Sequence, residues 1–215
     1  MTNREKSNDL IKKYADSFEF DHLAKELLRE CGAIEFTKVA TAVAKATGTN
    51  LFAYINEHYT IIDDVVFSAD QKELIKYAPE KETVSYKIPD FVEVIAPDAF
   101  RGNEFLTEII IGKLKYVNSN AFVDCPKLKA VHTDNIDHIW KCGWSDINSS
   151  PFINGAWLYV NGTPCDTLTL LNNGGNIRAF QGCKSIKHIK FDENNEMLER
   201  AVLAALAEKN NVKYF

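Results

Sequence analysis

A spacing of 22 residues governs the middle of this 215-residue chain and limits what it can fold into. Ala99-Phe100 and Ala121-Phe122 stand 22 positions apart (122 − 100), and a further 22 reaches Gly143-Trp144, again a small residue and then an aromatic one. Val92, Leu114 and Ile136 obey the same step, as do Ile95, Val117 and Ile139. Leu106, Ile109 and Ile111 recur as Leu128, Val131 and Thr133. Each unit therefore reads apolar-x-x-apolar, a polar turn, small-aromatic, then Leu-x-x-apolar-x-apolar. A unit this short cannot bury its apolar row alone, but stacked neighbours merge their rows into one core, so the repeat predicts a solenoid.

A displaced unit follows at Ala179-Phe180. Cys183, Ile186, Ile189 and Phe191 stand 3, 6, 9 and 11 residues after its aromatic, the offsets of Cys125, Leu128, Val131 and Thr133 from Phe122. The repeated Phe and Leu are read as core residues, each contributing about 2 kcal/mol on burial. The irregular stretch between Trp144 and Leu168, with Trp157 to Gly162 inside it, reads as a repeat enlarged by a hairpin.

The flanks have a different period. Leu10, Ile11, Tyr14, Ala15 and Phe18 recur at helical steps, as do Leu23, Leu27, Leu28 and Cys31. Further helices are predicted from about Ile34 to Ala46, stopping at Gly48, and over Asn50–His58 with Asn50 as N-cap. Near Asp63 the character changes to short β-branched and aromatic runs, Val65 to Phe67 and Leu74 to Tyr77, with residues 68–72 as a hairpin connection. Helical periodicity returns at Glu193–Glu208, where Met197, Leu198, Ala201, Val202 and Ala205 form one face.

The segments IPDFVEVIAPDAFRGNEFLTEIII, AFVDCPKLKAV and AFQGCKSIKHIKF resemble the BspA-like (Treponema pallidum-type) leucine-rich repeats, and VVFSADQKELIKYAPEKETVSYKIP resembles the hairpin that leads into them. The resemblance runs from about Asp63 to Phe191. It implies that Cys125 and Cys183 fill a buried cysteine position, for which Asn103 and Ile147 stand in two other units. It also implies a binding scaffold, often placed at bacterial cell surfaces, whose repeated strands face proteins or other macromolecules. The expected fold is α+β: a helical cap or small bundle over residues 1–62, then a short β-rich leucine-rich-repeat solenoid over 63–215, closed by a C-terminal capping helix within 193–215.

With 25 Lys and Arg against 30 Asp and Glu, the formal charge is −5, so the broad basic field that non-specific polyanion binding uses is missing. Residues 1–60, with 8 basic and 9 acidic side chains, are no exception. No apolar leader is visible at the start and no run reaches the roughly 20 apolar residues of a membrane helix. A cytoplasmic protein is therefore expected, with a surface or secreted one as the alternative if the chain was trimmed. The five cysteines are an odd number with no CxxC and read as free thiols.

No nucleophile, Walker or HExxH motif is present, so no enzyme activity and no cofactor are expected. His132, His138 and Cys142 are the best metal ligands by spacing, but they number three and match no standard finger, so no metal is expected. Residues 34–58 contain a corner that resembles a helix-turn-helix, yet its second helix, Leu51 to His58, has no Arg or Lys. A DNA-associated regulator is an alternative on that segment alone. The leading expectation is a monomeric protein-interaction module, with a surface adhesin fragment as another alternative. Its partner-binding residues are drawn from outward strand positions and neighbouring turns: Glu108, Ile110, Tyr116, His132, His138, Trp140, His188 and Lys190.

An uncovered terminal row would aggregate. Deletion of residues 193–215 is therefore expected to give insoluble protein, and a soluble truncation that unfolds cooperatively would contradict the capping role.

Overall fold

The structure, a computed structural model, describes residues 57–170, 176–191 and 213–214. Its first three strands form a meander: β1 (Tyr59–Ile62), β2 (Val65–Ser68) and β3 (Glu73–Tyr77). Asp63 and Asp64 both take positive φ between β1 and β2, the turn geometry whose twist suits a two-residue hairpin. Successive strands then go alternately to two sheets: β4 (Ser85–Lys87), β5 (Val94–Ile95), β6 (Glu108–Ile110), β7 (Tyr116–Val117) and β8 (Ala130–Thr133). A one-turn helix, α1 (Asp137–Trp140), intervenes before β9 (Gly143–Trp144) and β10 (Trp157–Val160). Thereafter come β11 (Thr163–Pro164), β12 (Thr167–Leu170), β13 (His188–Phe191) and β14 (Lys213–Tyr214).

The result is strand-rich with few helices. One sheet has the order β1-β2-β3-β5-β7-β9, parallel from β3 onward, and the second has the order β11-β10-β8-β6-β4, parallel from β10 to β4. A third sheet joins β12, β13 and β14 in parallel. The 22-residue step is visible in the register, since Val94 pairs with Tyr116 and Glu108 with Ala130.

Between the ladders lies the predicted core. Ile109, Val131 and Leu158 are fully buried and abreast on β6, β8 and β10, while Ile95 and Val117 do the same on the other sheet. Phe100 stacks on Phe122 at 4.9 Å and on Tyr77 at 5.1 Å, so the aromatic row of the repeats is continuous with the lead-in meander. The backbone repeats this contact, with Tyr77 N–H donating to Ala99 C=O and Phe100 N–H to Ala121 C=O, both at 2.8 Å.

Two expectations are corrected. Tyr59–Ile62, assigned to the helical segment, is a strand paired with β2, because Thr60, Ile61 and Ile62 are β-branched and the Asp63-Asp64 turn returns them against Val65 to Ser68. The third unit does not keep the 22-residue step. Tyr116 pairs with Gly143 and Ala130 with Trp157, 27 positions in each case (143 − 116 and 157 − 130). The extra residues accommodate α1, so Trp144 is the ladder partner of Val117 and not the equivalent of Phe122. Ile139 is buried within the helix, and Ile147 opens a short 3-10 turn. The predicted hairpin in the enlarged unit is present as β10–β11, turning at Asn161 and Gly162, both at positive φ. The remaining helical predictions, over residues 1–56 and at Glu193–Glu208, fall outside the described residues, while Glu57 and His58, the end of the helix predicted over Asn50–His58, are helical.

Asn103 explains its own departure from cysteine. In the next unit, the Cys125 thiol meets one backbone acceptor closely, the Phe100 carbonyl at 3.0 Å. Asn103, fully buried, faces the irregular chain that precedes the repeats. Its amide donates to the carbonyls of Ala78 at 3.0 Å and Pro79 at 3.1 Å, and its oxygen accepts from Phe105 N–H at 3.0 Å and Leu106 N–H at 2.7 Å. Replacing it with the residue of later units, Asn103→Cys, should leave several of these groups unmatched and lower stability by about 2–4 kcal/mol in urea denaturation. Unchanged stability would contradict this account.

Candidate functional site

Strand alternation decides which residues the second sheet shows to solvent. With Ile109, Val131 and Leu158 turned inward, their neighbours turn outward in two rows across the strands. One row is Ser85, Glu108, Ala130 and Trp157, and the other is Lys87, Ile110, His132 and Tyr159. Trp157 is 44% exposed, a large apolar surface that folding does not require. His132 and Tyr159 stack at 4.7 Å with their planes 20° apart, and the His132 Nε2 lies 3.9 Å from a Glu108 carboxylate oxygen. The far edge is β11, where Pro164 has no N–H with which to extend the sheet.

This arrangement brings together three of the sequence-derived site residues, Glu108, Ile110 and His132. It separates the others. His188 and Lys190 lie on β13 in the third sheet, with Thr167 and Thr169 as ladder partners, because the β10–β11 hairpin ends the second ladder before the last unit begins. Tyr116 is exposed on the opposite sheet, where its ring leans over Gly143. Trp140 is not a surface residue: α1 turns it into the core, where it stacks near Phe180 at 6.3 Å. Sequence reasoning missed Trp157 and Tyr159, which the 27-residue step places beside Ala130 and His132. Trp157 to Val160 are all apolar or aromatic, so no polar-apolar alternation in the sequence marks which of them face outward.

His138 lies on α1, its Nδ1 3.0 Å from Asp134 Oδ1, and lines a shallow cavity of about 590 Å³ together with Lys113, Lys115 and Lys141. Acids already answer two of these lysines, since Lys115 is held by Glu93 and Lys141 by Asp137 at 2.7 Å. Among the described residues no group of three or more His, Cys, Asp or Glu could hold a metal ion, so His132, His138 and Cys142 are not brought together as a ligand set. Residues 34–56 of the DNA-binding alternative fall outside the described residues.

The four described thiols are wholly or partly buried. Burial pushes Cys125 up to about 11 and Cys142 up to about 12, and it raises Cys165 and Cys183 as well. A thiol is nucleophilic as its thiolate, which these environments disfavour at neutral pH.

The described residues thus define a strand-rich repeat protein whose parallel ladders offer broad outer faces. Residues 55–150 match the BspA type leucine rich repeat region in 6 copies, and this part of the chain is similar to that family. Among solved structures, the chain is similar to a leucine-rich repeat protein from Eubacterium ventriosum ATCC 27560, at 14% identity and a TM-score of 0.46, covering 63% of this chain and 40% of that one. It is also similar to the pneumococcal vaccine antigen PcpA, at 15% identity and a TM-score of 0.37, covering 74% of this chain and 48% of that one. The chain spans less than half the length of either structure. No curated protein matches it significantly.

Native protein treated with a thiol reagent near pH 7 should leave Cys125, Cys142 and Cys183 unlabelled, and all three should react in denaturant. Rapid native labelling of any of them, read by peptide mass spectrometry, would contradict their burial.

Proposed function

We propose that this chain is a non-catalytic protein-interaction module that binds a macromolecular partner through the outer face of the β4-β6-β8-β10 ladder, without metal or cofactor. The observation that carries this reading is the pair of outward rows in which Ile110, His132, Trp157 and Tyr159 occupy solvent-facing positions. A packed repeat needs apolar residues only on the inner side of the strand, and aromatic residues on an outer face are the type that dominates interface energetics. The match of residues 55–150 to a leucine-rich repeat family accords with binding as the activity. We read the two parallel ladders as two faces of one short solenoid, and the protein as a monomer. Among the described residues no helix is long and apolar enough to cross a membrane.

The test is site-specific photocrosslinking in cells of the source organism. A crosslinker at Ile110 should capture one saturable protein partner, and one at Tyr116, on the opposite sheet, should not. Capture from Tyr116 alone, or equal capture from both, would refute the assignment of the face.

A further inference from the structure

The outer face has a gap in it. Glu108, Ala130 and Trp157 stand abreast on β6, β8 and β10. Neighbouring strands are about 4.8 Å apart, so the carboxylate side chain and the indole rise from positions about 10 Å apart, with only a methyl group between them. Ala130 is the floor of a notch, Trp157 one wall and Glu108 the other. Both walls are open to solvent, with Trp157 44% exposed and the Glu108 side chain 49% exposed.

We infer that this notch receives an arginine side chain of the partner, its guanidinium lying against the Trp157 indole and donating edgewise to the Glu108 carboxylate over Ala130. The inference rests on the interaction reading of the same face and names the chemistry of its occupant. Four observations support it. An aromatic face and a carboxylate across a gap form the two complements of a guanidinium, which is planar, stacks on rings and offers its N–H groups in a fixed fork. Among the described residues, the nearest ion-pair contact of Glu108 is the His132 Nε2 at 3.9 Å, too long for a hydrogen bond, so the carboxylate keeps its capacity to accept. Lys87 lies in the other row one strand beyond Glu108 and is held by Asp90 at 3.1 Å. The chain as a whole is acidic, at −5, and complements a basic partner.

Lysine fits less well. Its ammonium is a strongly hydrated point charge, and it cannot both lie flat on the indole and reach the carboxylate with parallel N–H groups.

The test uses the full chain with hexaarginine and hexalysine peptides at physiological salt, read by tryptophan fluorescence. Trp157 is the exposed reporter, whereas Trp140 and Trp144 are buried. Hexaarginine should perturb the emission and bind more tightly than hexalysine. Glu108→Gln and Trp157→Ala should each weaken it by about tenfold, with Trp157→Ala read by calorimetry. Ala130→Leu, which fills the notch and leaves both walls in place, should weaken it similarly. Thermal melting confirms that each variant is folded. Equal binding of the two peptides, or hexaarginine affinity unchanged in Glu108→Gln and Ala130→Leu, would overturn the inference in favour of diffuse attraction to an acidic surface. The two claims separate cleanly, because an Ile110 crosslink that persists in Glu108→Gln would keep the face and remove the arginine.

Discussion

Everything in this structure depends on one contact, the burial of each unit's apolar row against the row of the next unit. Ile109, Val131 and Leu158 lie abreast, and beneath them Phe100 stacks on Phe122 and on Tyr77. None of these residues could leave water within its own unit, because a unit of two strands and two turns has no second layer to bury against. Stacking supplies that layer, and the parallel backbone ladders follow from bringing identical strands into register. The outward residues are then free of any folding duty, which makes an outer Trp157 or Ile110 informative.

The repeat is interrupted in two places, and each interruption has a local physical solution. At the beginning, the preceding chain is a meander with irregular carbonyls near Ala78 and Pro79, and Asn103 supplies amide donors where a later unit has a single thiol. In the third unit, the added residues are taken up by α1, which turns Ile139 and Trp140 inward so that the inserted segment contributes to the core. Asn135 prepares this helix, its side-chain oxygen accepting the Asp137 N–H at 2.9 Å. After the interruption both ladders resume with the same 27-residue offset, which shows that the insertion is accommodated outside the strands.

Much of this architecture was legible in the sequence. The step of 22 places Ile95 beside Val117 and Ile109 beside Val131, and the β2–β3 and β10–β11 hairpins lie where Ser68 to Lys72 and Asn161-Gly162 announce turns. The third unit misled because Gly143-Trp144 imitates Ala121-Phe122 by chance of spacing, while the true register follows the pairing of Tyr116 with Gly143. That slip hid half of the outer face. Glu108, Ile110 and His132 could be found from alternation within single units, but Trp157 and Tyr159 need the length of the insertion, and periodicity cannot supply it. Lys190 stands apart from this face for the complementary reason: its unit keeps the internal offsets of the others, but its strand belongs to a separate sheet.

The central claim is therefore a register: Glu108, Ala130 and Trp157 lie abreast on neighbouring strands. The most direct measurement is continuous-wave electron paramagnetic resonance on the full chain with nitroxides at Glu108 and Trp157, compared with nitroxides at Glu108 and Lys190. Positions two strands apart are about 10 Å from each other, close enough for strong dipolar broadening. The account predicts broadening in the first pair that exceeds that of the second. A first pair no broader than its singly labelled controls would mean that β10 does not follow β8 in this register, and the outer face described here would not exist.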